Sequence, residues 1–156
     1  MSIRNIINKL KSIQQFDVEK ETIDIINENK EFILYLLRNQ MATGIDGDGN
    51  LVRAKYGTFY SDRTVREKEG AYAFGLGRET NVVTNYMTGQ FYDSIQLASS
   101  GTDFVFSAGV PYYEEILLRS GKQIMKLNAE SSKELLNAVI FPQLEIRREK
   151  YSNGLQ

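Results

Sequence analysis

The sequence predicts an α+β fold in a single domain, and three observations predict it. Apolar residues recur at helical spacing near both ends of the chain. Two alternating segments between residues 91 and 108 read as a β-hairpin. Between the first helices and the hairpin lies a stretch, residues 44–86, rich in Gly, Thr, Arg and Tyr and poor in any period. The predicted order is therefore a helical part over 1–43, an extended loop over 44–86, a hairpin in a small antiparallel sheet over 87–110, and C-terminal helices over 111–150 within one domain, 1–156.

Composition fits that picture. The chain has 156 residues, enough for one domain with a sizeable core and too few for two of ordinary size. It is 42% apolar and 25% charged with a net charge of −1, which supplies no overall pull toward nucleic acid or an anionic membrane. It contains neither cysteine nor histidine. That removes disulfides, thiolate nucleophiles, cysteine zinc sites and every Ser-His-Asp scheme. The start of the chain alternates polar and apolar residues and reads as no signal peptide, and the run Phe32 to Leu37 is far below membrane-spanning length.

Taken in order, Ile3, Ile6, Ile7, Leu10 and Ile13 share one helical face over residues 2–14. Asp17 or a neighbour is the expected N-cap of a helix starting near Val18, with Glu19 and Glu21 in its electropositive first turn. The apolar pattern continues through Ile23, Ile26, Ile33, Leu34 and Leu37 to about Met41, with a break expected at Asn27-Glu28-Asn29 and a stop at Gly44. Asp46-Gly47-Asp48-Gly49-Asn50 reads as a turn, and Arg66 to Glu69 as a helical turn. In the hairpin, Phe91, Ile95 and Leu97 are expected on one strand face, and Phe104, Phe106 and Ala108 on one face of the second. A short helix from Tyr112 to Arg119 should end at Gly121. The last helix should be capped by Asn128 or Ser131, carry Leu135, Leu136, Val139, Ile140, Leu144 and Ile146, and kink or split at Pro142.

Motifs with chemistry are few. Asp46, Asp48 and Asn50 imitate the start of a calcium loop, but its sixth position is Leu51 where glycine is needed, and its twelfth is Gly57, which offers no carboxylate. Gly75-Leu76-Gly77 lacks the third glycine of a dinucleotide fingerprint, and Ser120-Gly121-Lys122-Gln123 fits a helix C-cap better than a phosphate loop. Glu114 and Glu115 are adjacent on a predicted helix, so they diverge and cannot act on one glycosidic bond together. No cofactor and no metal ligand set is expected. A carboxylate hydrolase would need acidic residues from distant parts of the chain.

Cations and aromatics alternate through the loop: Arg53, Lys55, Tyr56, Phe59, Tyr60, Arg63, Arg66, Lys68, Tyr72 and Phe74. Tyr, Phe and Arg are enriched at protein interfaces, and the same mixture can stack bases and neutralise phosphates. Asp62, Glu67 and Glu69 dilute the positive field, which favours a subunit interface at Arg53, Tyr56, Phe59, Tyr60, Arg63, Arg66, Tyr72 and Phe74 over a nucleic-acid-binding module spanning 53–74.

One further pattern is in the order of segments. Glu31-Phe32-Ile33-Leu34-Tyr35-Leu36 is followed by Gly44-Ile45-Asp46-Gly47-Asp48-Gly49-Asn50-Leu51, then Tyr60-Ser61 with Thr64 and Lys68. After these come Met87-Thr88-Gly89-Gln90-Phe91-Tyr92-Asp93-Ser94-Ile95 and Leu118 through Ser131. Over roughly residues 30–146 this resembles the tail-completion and virion-morphogenesis (head–tail joining) proteins of tailed bacteriophages, in particular versions from phages of Bacteroidetes hosts and the crAss-like group. The stretch 70–86 is longer and richer in glycine than that pattern. The resemblance implies a structural virion protein and not an enzyme. It implies a cyclic ring of copies in the neck or tail, twelve-fold favoured over six-fold, around the DNA channel. Portal, neck or tail proteins would be its neighbours and genomic DNA would lie nearby. The chain would be assembled in the host cytoplasm, with no membrane involved.

Overall fold

The computed structural model describes residues 16–52, 64–66, 83–85, 88–100 and 103–153. The fold is α+β, helices with one small antiparallel sheet. The elements are α1 (Val18–Glu28), α2 (Lys30–Ala42), α3 (Gln90–Asp93), β1 (Ile95–Ser100), β2 (Asp103–Ala108) and α4 (Tyr113–Ser120). A 3₁₀ turn (Lys122–Met125), α5 (Ala129–Leu135), a π turn (Leu136–Ile140) and α6 (Phe141–Ser152) complete the order. The expected helix over 2–14 lies outside the described residues, as does most of the loop 53–82. By contact density the chain divides into two compact units, residues 1–30 with 133–156, and residues 31–132.

In the first unit, α1 begins where the sequence places it. The Asp17 side chain accepts a hydrogen bond from the Lys20 amide at 3.0 Å, satisfying a donor that the first helical turn leaves orphaned. The helix ends at Asn29, whose backbone N–H and side-chain amide both donate to the Ile25 carbonyl. Ile25 is fully buried, and among the described residues Leu135, Val139 and Ile140 join it in this unit's core. Arg147 on α6 donates to Glu21 at 2.8 Å and to Glu28 at 2.6 Å, both on α1.

Pro142 leaves the helical winding unbroken. Proline has no N–H and its ring crowds the carbonyl four residues back. Here residues 136–140 widen into a π turn, closed by the Phe141 amide on the Leu136 carbonyl, and Pro142 falls in the first turn of α6.

In the second unit, α2 buries Ile33, Leu34, Leu36, Leu37, Gln40 and Met41, offsets of three and four that define one face. Gly44 stops the chain at φ 72°, a conformation glycine adopts freely. The segment 88–94 differs from the expected strand. Gly89 sits at φ 90° and opens the helical turn α3, so Phe91 and Tyr92 are buried from a helix and the strand starts at Ile95. The hairpin itself is as expected: Ile95 faces Ala108, Leu97 faces Phe106, and Ser100 faces Asp103. Ile95, Leu97 and Phe106 point into the core together with Ile124. Gly121 ends α4 at φ 85°, and the Asn128 side chain caps α5 by accepting from the Ser131 amide at 2.8 Å.

Candidate interaction surface

Of the eight predicted interface residues only Arg66 is among the described residues. It is exposed, in a helical segment at 64–66. Arg53, Tyr56, Phe59, Tyr60, Arg63, Tyr72 and Phe74 lie outside them.

The acidic turn that precedes them is built by its own side chain. Asp46 Oδ1 accepts from the amides of Asp48 and Asn50, both at 2.9 Å, while the Asp46 amide donates to the Asn50 carbonyl at 2.9 Å. An isolated bridge pairs Ile45 with Leu51 across the turn. A carboxylate oxygen with two backbone donors organises a loop. The turn is docked as well, because the Gly47 amide donates to the Gln123 carbonyl at 2.8 Å.

Further polar side chains in this unit hold backbone together. Gln40, 5% exposed, donates to the Lys126 carbonyl at 2.9 Å and accepts from the Asn128 amide at 2.8 Å. Arg38 Nε donates to the Tyr92 carbonyl at 2.9 Å, and Tyr92 Oη donates to the Thr84 carbonyl. Sequence reasoning missed Gln40 and Arg38 because a polar residue in an amphipathic helix carries no local mark of a distant backbone partner. Glu114 and Glu115 are both exposed, and Glu115 forms an ion pair with Arg119 at 3.0 Å. Tyr113, between Tyr112 and Glu114, has its phenol pKa raised, first by burial and then by the Glu114 charge. The Arg147 guanidinium is held yet more firmly in its charged form by its hydrogen bond to Glu21, with Glu28 adding to it against the opposing effect of burial. Among the described residues no cluster of three or more acidic side chains is placed to hold a metal ion.

Among the described residues the large apolar side chains more than half exposed are Val18, Tyr35, Val105, Leu118, Phe141 and Ile146; they include the wall of a groove in the first unit and one side chain of α4 in the second. In the first unit, Phe16, Val18, Phe141 and Leu144 line a groove of about 320 Å³ whose charged lining is Glu145 and Arg148. Val18 is 55% and Phe141 56% exposed, and Ile146 further along α6 is 52% exposed. The chain enters the groove because Phe16 precedes the α1 cap and packs edge-on against Tyr151, ring centroids 5.8 Å apart. Phe141 is the residue at which the π turn gives way to α6. In the second unit, Leu118 on α4 is 78% exposed. Neither surface stood out in the sequence, where neither Phe141 nor Leu118 was singled out.

Comparison with known proteins gives no match: no family model, no curated protein and no solved structure is similar to this chain at a significant level. Among the described residues no helix is long and apolar enough to cross a membrane.

Proposed function

We propose that this chain is a structural subunit of a tailed-phage particle, a ring-forming neck or tail protein that joins portal-proximal and tail components around the DNA channel. The observation that carries the reading is the order and spacing of its segments from Glu31 to Ser131, with the acidic glycine turn, the aromatic-basic loop and the Thr88-Gly89-Gln90-Phe91 segment in sequence. Two physical features support it. The polar side chains of Asp46, Gln40, Arg38 and Arg147 are engaged in holding backbone or helices, work that belongs to a scaffold. Large apolar side chains are left on separate surfaces, and a soluble chain that groups such residues around a groove has a surface ready to be covered.

In this reading the mechanism is assembly. Each copy offers one patch to its neighbour and receives a different patch, so that the interfaces are heterologous and the rotation closes a ring, twelve-fold or six-fold. Burial of large interfaces then fixes loops against neighbouring rings. Native mass spectrometry of the purified chain, combined with electron microscopy of particles carrying a labelled copy, tests this. A cyclic oligomer and label at the neck or tail are expected. A chain that stays monomeric and is missing from particles would sink the proposal.

A further inference from the structure

We propose that α4 of one copy seats Leu118 in the apolar groove of a second copy, between Val18 and Phe141, and that this contact is the repeating joint of the assembly. The inference rests on the reading of the chain as a self-assembling subunit and assigns that assembly a surface.

Three observations meet here. Leu118 is the most exposed large apolar side chain among the described residues, at 78%. The groove is of a size to take such a side chain, about 320 Å³, and its apolar walls Val18 and Phe141 are more than half exposed. The charges around the two match in reverse order. On α4, Glu114 and Glu115 lie one turn before Leu118, with Arg119, the ion-pair partner of Glu115, next to it; Lys122 follows in the 3₁₀ turn, beyond the Gly121 stop. On α6, Glu145 comes one turn before Arg148. Helices crossing in opposite directions bring the Glu114–Glu115 end of α4 to Arg148 and its Arg119 end to Glu145. Glu114, Lys122, Glu145 and Arg148 make no ion pair among the described residues, so all four are available to a partner.

The occupant follows from this complementarity. An apolar knob and an apolar groove, each rimmed by both signs of charge, sit on one chain and are thus always present in equal number. They are different surfaces, so the contact passes from copy to copy wherever the two copies do not exchange knobs reciprocally, as a ring requires. Its centre is an apolar anchor in a pocket and its rim is polar, the usual anatomy of a specific interface. Rim charges select the orientation of approach more than they add affinity.

The native sequence contains no cysteine, which makes the test clean. Full-length Leu118→Cys and Phe141→Cys variants are mixed and oxidised, and the crosslinked species are resolved by mass. Leu118→Asp and Arg148→Glu are compared with the unaltered chain by analytical ultracentrifugation, with circular dichroism confirming that each is folded. The mixed Leu118–Phe141 disulfide is expected to exceed either homodimer at least several-fold. Leu118→Asp is expected to abolish assembly, and Arg148→Glu to weaken it in a way that Glu114→Arg restores. Random crosslinking, or assembly untouched by Leu118→Asp, overturns this contact and leaves the phage-ring reading standing on other surfaces. A chain that remains monomeric at high concentration also overturns the contact, while the presence of label in particles then decides the phage reading separately.

Discussion

The Gln40 side chain on α2 donates to the Lys126 carbonyl at 2.9 Å, joining residues 86 apart in the chain. Its other amide atom accepts from the Asn128 amide at 2.8 Å, so one buried side chain satisfies both a carbonyl and an N–H of the segment that leads into α5. Gln40→Met keeps length and apolar volume and leaves both groups without a partner. An unsatisfied buried polar group costs about 1–3 kcal/mol, so a loss of about 2–4 kcal/mol is expected in urea denaturation. A change below 0.5 kcal/mol, roughly the size of a neutral surface substitution, would show that water replaces Gln40 there.

Two glycines in one turn should respond differently. A Cβ on Gly47 would collide with the Lys126 Cβ and lie 2.8 Å from the Gln123 carbonyl oxygen, so Gly47→Ala must displace backbone. A destabilisation of about 1–3 kcal/mol is expected. Gly49 has φ +82° and nothing within 4 Å of its Cβ position. Asn tolerates that left-handed conformation, and Gly49→Asn should shift the thermal midpoint by much less. Equal midpoints for the two variants would contradict the packing described.

Arg147 reaches two carboxylates of α1 at once, and its side chain is 23% exposed. Arg147→Met should cost about 1–2 kcal/mol, mostly through the half-buried Glu21, because Glu28 is 59% exposed and screened by solvent. Arg147→Lys should recover little, since a single ammonium cannot fork to both partners. The Arg147 pKa is raised, so its contribution is complete below the ordinary arginine value and is lost only as pH climbs through the still higher folded value. Stability from this pair should therefore be flat on the alkaline side up to extreme pH and fall with added salt. A denaturation midpoint insensitive to salt in the wild type and variant alike would argue against it.

Tyr113 offers a spectroscopic check. Burial, and then the Glu114 charge, favour its neutral phenol. Folded stability from this group is present below the ordinary tyrosine pKa and is lost as pH rises through the raised value. In ultraviolet titration, the difference between wild type and Tyr113→Phe should ionise later than free tyrosine. Glu114→Gln should bring that ionisation part of the way back.

Local signals were readable from the residues alone. Asp17, Asn29, Gly44, Gly121 and Asn128 each act within one turn of chain, and each caps or stops the element expected of it. The hairpin was also readable, because Ile95 and Leu97, and Phe104 and Phe106, recur at every second position on strands that are neighbours in sequence. Phe91 and Tyr92 misled, since two adjacent apolar residues fit a strand of period two and the buried side of one helical turn equally well. What decides between them is the left-handed Gly89. Arg147 reaches across from α6 to α1. Its pairing with Glu21 spans 126 residues and leaves no trace in local pattern. The groove was hidden for the same reason, since it gathers Phe16 and Val18 from one end of the chain with Phe141 and Leu144 from the other.

The π turn at Leu136–Ile140 sets the angular phase of everything after it. In an α-helix each residue advances about 100°, so one residue more or less swings the remainder of the helix by that angle. The π turn holds an extra residue in place, and with it Arg147 comes round to Glu21 and Glu28 while Phe141 and Leu144 come round to the groove. Deletion of a single residue in this turn would leave a smoother helix with every side chain intact, yet turned away from its partners. This part of the chain is thus far more sensitive to its length than to the identity of its exposed residues.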